Sequence, residues 1–515
     1  MSQLRRIVYE DMVARVPLNG TAPAMKQRSR TVERRAEQSV VLDEAHRRLV
    51  VRLIFVVYLL VIFEGVLRKW VAPHFGKQLF FIRDPFVLAI YALVLWRRTR
   101  IRNGFLEVAC LIGLAELVVI VGQKVLGGDW DFMSFVFSFY GWRAYFFYIP
   151  LAFVIASYMD MKDLGRVARI TALICAPIAV LVVVQFFSPQ LAPINAGLGD
   201  STEDMYVSAN LLPGGFVRTS GTFTSSLGQT TFSVSALAFA LSLWLAPGRS
   251  RTLKSYVTLA SGSAGALICL ALSGSRGAVV WSGIVIIVGI AGLLLAPGDM
   301  GLKAVVVTLI LVVFSAVIPP MLFPQATASF TQRWTDANSL ETRAYGSGGI
   351  FARALYEIFD FRLLMEDTPL EGYGLGSAGN AAWNLGTRNK TVTFTSLEEI
   401  GAAESDWGRH ILEMGPFFGS LFILFRVVFV SWLGIMTLRA TIRSSQPLPW
   451  LLFSFIGVIM FNGQITANGT QNGYAWLFTG FCLAAANTAK AETHLVANRV
   501  NSVVPTLARL AYTRS

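Results

Sequence analysis

Two arginines stand in turns rich in small polar residues: Arg218 in "GGFVRTSGTFTSSLGQ" and Arg276 in "LSGSRGAVV". Each lies at the mouth of an apolar run long enough to cross a bilayer. A guanidinium stays charged at any biological pH and forms bidentate, charge-assisted hydrogen bonds to phosphate oxygens. Flanking Gly221, Gly274 and Gly277 let backbone N–H groups approach the same anion. Holding such a charge at membrane depth costs about 2.5–3.5 kcal/mol on insertion scales, so the two together point to an anionic ligand on their side of the bilayer. Arg143, at the matching end of the fourth apolar run, is a third member of the set. The competing reading is that each arginine snorkels to lipid headgroups or pairs with a carboxylate.

The elements that carry these residues follow from composition. The chain has 515 residues, 54% hydrophobic and 15% charged, with 37 Phe and a mean hydropathy of +0.56, more apolar surface than a soluble core can bury. It reads as an all-α polytopic membrane protein. The net charge of +13 would suit nucleic acid, but the basic residues stand at the ends of apolar runs, where orientation in the bilayer accounts for them. No nucleic-acid partner is expected. Cys110, Cys175, Cys269 and Cys482 fall inside apolar runs without metal-type spacing, which indicates neither a disulfide framework nor a metal site. No cofactor is expected.

A bilayer-spanning helix needs about 20 mostly apolar residues. Twelve stretches qualify, near 50–67, 79–96, 105–123, 139–157, 167–187, 227–246, 255–273, 277–296, 302–320, 412–437, 449–463 and 471–488. Arg83, Asp84 and Pro85 interrupt the second. If the basic N-terminal tail is cytoplasmic, every second connection is basic as well: Arg97 and Arg98, then Lys162 and Arg166, then Arg249 and Arg251, then Lys303, then Arg439 and Arg443. Short loops rich in arginine and lysine stay inside, so both termini are expected there. The connection holding Arg68, Lys69, Lys77 and Arg83 breaks the rule. The organisation expected is a basic cytoplasmic tail at 1–48, without the features of a secretory signal; nine spans in 49–320; a periplasmic loop with interfacial helices at 321–411; three spans in 412–488; and a cytoplasmic tail at 489–515.

Within the loop, "FARALYEIFDFRLLM" (351–365) spaces Phe351, Leu355, Ile358, Phe359 and Leu363 as one face of a helix, suited to lying on a membrane surface. "PLEGYGLG" (369–376) is turn-forming. Its G-x-G is no nucleotide fingerprint, because no strand and helix flank it.

These residues resemble the O-antigen ligase and repeat-unit polymerase superfamily, bacterial membrane enzymes that join or extend glycans carried on undecaprenyl pyrophosphate. The resemblance rests on "RTSGTFTSSLG" (218–228), "LSGSRGAVV" (272–280), "FARAL" and "PLEGYGLG" in one loop, and "AESDWGRHILEMGPFFG" (403–419) leading into the next span. It implies a twelve-span, GT-C-like glycosyltransferase fold in the inner membrane. It also implies metal-independent, inverting transfer on the periplasmic face, from a lipid-pyrophosphate-linked glycan donor to a glycan acceptor, with chain-length regulator and export proteins as partners. On this resemblance Arg218, Arg276, Arg353 and Arg143 would hold the pyrophosphate. Ligase members carry a histidine nine residues before the glutamate of an E-x-G, and here that position is Glu404. A carboxylate within hydrogen-bond reach of the acceptor hydroxyl can act as base. His410 is a secondary candidate, read as packing within the start of the tenth span.

The substitution of Glu404 for histidine favours a polymerase over a ligase. Two other classes stay open. A twelve-helix secondary transporter is disfavoured by the missing half-to-half symmetry and by span centres without ionisable groups, apart from Glu64 and Glu116. A non-catalytic scaffold would leave Arg218, Arg276 and Glu404 dispensable.

Overall fold

The computed structural model describes residues 23–99, 101–126, 132–197, 211–246, 252–345, 349–378 and 405–512. Among these the chain is helical, apart from one isolated bridge between Leu211 and Val217. In order, the helices are α1 Pro23–Val66, α2 Asp84–Trp96, α3 Gly104–Leu126, α4 Phe132–Trp142, α5 Ile149–Tyr158, α6 Met161–Phe187, α7 Ser226–Leu245, α8 Leu253–Leu272, α9 Arg276–Leu294, α10 Met300–Leu322, α11 Pro324–Tyr345, α12 Gly349–Phe359, α13 Leu363–Asp367, α14 Asp406–Ser444, α15 Leu448–Asn462 and α16 Gly469–Tyr512. Ten segments among the described residues are long and apolar enough to cross a membrane. The chain is a multi-pass membrane protein.

Several spans depart from simple helices, for local reasons. The second breaks where the sequence places Arg83, Asp84 and Pro85: a 3₁₀ turn at Gln78–Phe81 precedes α2, which has Pro85 in its first turn, where the missing N–H costs nothing. The fourth consists of α4, a π-helical turn Arg143–Phe147, and α5. The last two expected spans are not among the ten. α15 has 15 residues, and the first turns of α16 carry Gln471 and Asn472, which lower its apolarity.

Close helix approach replaces the hydrophobic drive that lipid cannot supply. A Cβ on Gly262 would stand 2.7 Å from the Ala172 Cβ, and one on Gly265 would stand 2.8 Å from the Cys175 carbonyl carbon, so α8 lies backbone to backbone against α6. Gly480 of α16 packs in the same way on Ile155 of α5. The α7 helix is the central post, with 83% of its apolar window buried.

Short connections make successive helices alternate in direction, so the segments after α1, α3, α6, α8, α10 and α15 gather at one end. The opposite end is closed by Arg47, which donates to Asp163 at 2.8 Å and to the Tyr158 carbonyl at 2.9 Å. The loop read as one helix over 351–365 is α12, a 3₁₀ turn at Asp360–Arg362, and α13. α11 precedes it, after a break at Phe323 (φ −133°, ψ 62°).

Overpacking a close helix contact typically costs 1–3 kcal/mol. Gly265→Ile is expected to lower the thermal midpoint of the detergent-solubilised protein, whereas Gly122→Ala, whose added Cβ meets nothing within 4 Å, leaves it unchanged or raises it.

Candidate functional site

The end of the bundle holding the α6–α7, α8–α9 and α10–α14 connections concentrates the charge. Arg218 lies in the turn before α7. Gly274, at φ +57°, turns the chain so that Ser275 caps α9, its hydroxyl accepting from the Ala278 amide at 3.3 Å. This places Arg276 in the first turn of α9 rather than in a free loop. The two arginine segments are stitched together, since the Thr219 hydroxyl donates to the Leu272 carbonyl at 3.1 Å.

Arg276 is paired. Its guanidinium makes a bidentate contact with Glu341 of α11 at 2.7 and 2.8 Å, and Arg353 of α12 reaches the same carboxylate at 3.4 Å. Hydrogen bonding from Arg276 holds the Glu341 carboxyl below its ordinary value against the opposing effect of burial.

Arg218 and Arg333 are different. Neither makes a hydrogen bond or ion pair with another described residue, and Arg218 Nε is buried without a partner. Burial, with the Arg333 charge added, pulls the Arg218 guanidinium down to about 10, and burial with the Arg276 charge lowers Arg333. At neutral pH both remain cationic. Among the described residues, then, Glu341 is shared by Arg276 and Arg353, while Arg218 and Arg333 stand beside the pair without a carboxylate of their own. Arg333 had no distinguishing sequence context, and Glu341 was one of many loop acids; only the return of α11 over the start of α9 brings them in.

Lys69 supports this group from below. It is 2% exposed, and its ammonium donates to Ser220 Oγ at 3.0 Å and to the Gly221 carbonyl at 2.9 Å, fixing the turn that carries Arg218. It belongs to the connection that broke the charge rule.

An apolar cavity of about 370 Å³ adjoins the cluster, lined among others by Leu270, Ala278, Ile286, Leu311, Pro319 and Phe330. Ala278 is two residues beyond Arg276, and Phe330 three before Arg333. The cations thus crown one end of a hydrocarbon-lined space between α7 to α11.

Arg143 is not with them. Asp84 takes its guanidinium at 2.5 and 2.8 Å, Tyr148 donates to the same carboxylate, and Phe80 and Phe81 cover its faces at 4.9 and 5.0 Å. Its carboxylate partner and covering rings belong to the start of α2 and the turn before it, apart from the Arg218, Arg276, Arg333 and Arg353 group. Glu404 lies outside the described residues.

His410 is placed by a fold that spacing alone hid. In a straight helix residues 406 and 426 would be about 30 Å apart, yet Arg426 Nη1 donates to Asp406 Oδ2 at 2.7 Å. The chain doubles back at Gly415 (φ 78°, ψ 168°), followed by Pro416. α14 is therefore a short helix over 406–414 lying against a long one over 416–444, and the span expected at 412–437 starts after that bend. The signal was present as the Gly-Pro pair.

Within this hairpin the hydrogen-bond directions follow from one fact, that arginine only donates. His410 Nε2, 2.7 Å from Arg426 Nη1, must accept, so Nδ1 carries the proton and donates to Tyr145 Oη at 3.0 Å. His410 is fully buried with both ring nitrogens occupied, so no acceptor hydroxyl can reach it. Asp406 also accepts from the Ile465 amide at 3.1 Å and Thr466 Oγ1 at 2.8 Å, and Arg426 donates to the Met460, Ile459 and Gly463 carbonyls at 3.0, 3.1 and 3.2 Å. His410 is a structural member of the network.

The same hairpin anchors the loop. Tyr373 and Gly374 amides donate to the Leu412 and Glu413 carbonyls at 2.8 and 3.2 Å, and the Ala378 amide donates to Glu413 Oε1 at 3.0 Å. A Cβ on Gly372 would stand 2.4 Å from the Gly415 nitrogen, so "PLEGYGLG" is the segment that lets two backbones touch.

No protein-family model and no curated protein matches the sequence.

Removing one partner of a buried ion pair typically costs 3–5 kcal/mol. Arg426→Met and Asp406→Asn are each expected to lose stability on that scale in detergent unfolding, with the double variant losing less than their sum. The Arg276–Glu341 pair carries a pH signature: its carboxyl titrates below the ordinary 4.5, so the stabilisation is fully present above that value and is lost as pH falls through the lower folded value. Thermal midpoints of the wild type and Glu341→Gln should converge as pH drops below about 4.5.

Proposed function

We propose that the protein is a polysaccharide polymerase of the O-antigen ligase and repeat-unit polymerase superfamily. In this reading it joins lipid-pyrophosphate-linked oligosaccharide units by inverting, metal-independent glycosyl transfer at the periplasmic face of a bacterial inner membrane. The observation that carries this is the pairing of an incompletely compensated guanidinium cluster with an adjoining hydrocarbon-lined cavity. An amphiphile with a doubly phosphorylated head fits both halves: oxygens on Arg218, Arg333, Arg276 and Arg353, and isoprenoid carbons along Ala278, Leu311 and Phe330.

The chemistry then divides by residue. The acceptor hydroxyl attacks the anomeric carbon from the face opposite the phosphate, and its proton passes to a base, the role assigned to Glu404. The bond to the phosphate oxygen breaks with its electron pair. The arginines stabilise the charge gathering on that oxygen, an electrostatic task for preorganised donors. In this reading α15 and α16 complete twelve spans in a GT-C-like arrangement, both termini are cytoplasmic, and the arginine-bearing end faces the periplasm. Arg47, Arg97, Lys162, Arg439 and Arg443 at the other end agree with the positive-inside rule.

Purified protein supplied with a lipid-pyrophosphate oligosaccharide is expected to give a ladder of longer products rather than a single transfer to a lipid core. Arg276→Ala and Arg218→Ala should slow lengthening by roughly 10²-fold or more, and Glu404→Gln by about 10²–10⁴-fold. A ladder formed equally well by Arg276→Ala and Glu404→Gln would refute the assignment.

A further inference from the structure

The carboxylate inside the arginine cluster sits in an unusual place for a base. Glu341 is 6% exposed, it makes two short contacts with Arg276, and a second arginine, Arg353, stands 3.4 Å away. A planar, two-oxygen anion gripped bidentately by one guanidinium and touched by another reproduces what a phosphate would do at the same position. Meanwhile Arg218 and Arg333 carry no such partner among the described residues. The cluster is therefore part filled by the chain itself and part unfilled.

The helix that delivers Glu341 is joined to the bundle by a break. α11 follows α10 across Phe323, whose backbone is non-helical, just after Pro319 and Pro320. Leu340, beside Glu341, is 62% exposed, so one face of α11 is uncovered where it delivers the carboxylate.

We propose, building on the donor-site reading above, that Glu341 is a resident counter-ion which occupies a phosphate position of the empty site and sets a charge threshold for entry. A tethered anion competes at an effective concentration on the order of millimolar. A singly charged ligand, a carboxylate or a phosphate monoester, gains too little from Arg276 and Arg353 to displace it. A pyrophosphate brings a second phosphate for Arg218 and Arg333 and so exchanges with Glu341, which swings out with α11. Glu341 thus acts as a specificity-determining residue by repulsion rather than attraction, and its release couples donor binding to movement of the segment leading to α12.

The competing role, preorganising the arginines for substrate, makes the opposite prediction, and the sign of one measurement separates them. Inorganic pyrophosphate and inorganic phosphate are titrated calorimetrically into the full-length protein in detergent, as wild type, Glu341→Gln and Glu341→Asp, each checked to be folded, with a cooperative thermal transition well above the titration temperature. Glu341→Gln is expected to bind pyrophosphate about tenfold more tightly and phosphate with a larger gain, narrowing the preference between them; Glu341→Asp, which keeps the charge, should stay near wild type. Weaker or unchanged binding by Glu341→Gln overturns the counter-ion role and leaves the anion site standing. Absence of pyrophosphate binding in all three proteins removes the anion site itself. Independently of any change at Glu341, a spin label on Leu340→Cys in a Cys110→Ser background should gain mobility on adding pyrophosphate; an unaltered spectrum overturns the exchange.

Discussion

A guanidinium cannot escape a low-dielectric environment by giving up its proton, and this chain buries several at one end of an apolar bundle. Each has to find oxygen. Arg83, 1% exposed, lies 2.9 Å from Glu64, an ion pair whose geometry leaves its Nε–H off the line of a hydrogen bond. Arg143 has Asp84, Arg426 has Asp406 with three carbonyls, and Arg276 has Glu341. These pairs join helices distant in sequence, so neutralising the charges also fixes how the bundle closes. Among the described residues, Arg218 and Arg333 are left without such a carboxylate, which is why the proposed anion site is placed there.

Such pairing has a physical limit. Buried ion pairs contribute little net stability, because desolvation cancels most of the attraction; they make alternatives costly. The doubled-back α14 illustrates this, since pulling its short arm away from the long one would strand Asp406 and Arg426 together. The short arm then serves as a fixed platform on which the "PLEGYGLG" segment docks through backbone amides and the Glu413 carboxylate. The loop is held by the fold on one side and by Gln123, which donates to the Glu371 and Gly372 carbonyls, on the other.

Membrane helices were legible in the sequence because apolar length is a one-dimensional property, and the break at Asp84 and Pro85 was visible for the same reason. Arg218 and Arg276 could be singled out because an arginine between two spans violates a local rule. The partner of Arg276 could not. Glu341 lies 65 residues from Arg276 in a loop with many acids, and nothing in local spacing distinguishes it; the same holds for Asp84 and Arg143. Asp406 and Arg426 were hidden by a different cause: the run reads as one continuous helix unless Gly415 and Pro416 are allowed to reverse it.

The brevity of α15 leaves its end inside the bundle. Fifteen residues rise about 22 Å, short of the roughly 30 Å of a hydrocarbon core, and the helix stops where Arg426 donates to its terminal carbonyls. A side chain from a neighbouring helix thus does the capping that water does elsewhere. Met460 at that end is fully buried and Arg426 is 1% exposed, so this short span terminates against protein and its depth is set by an arginine rather than by the thickness of a bilayer.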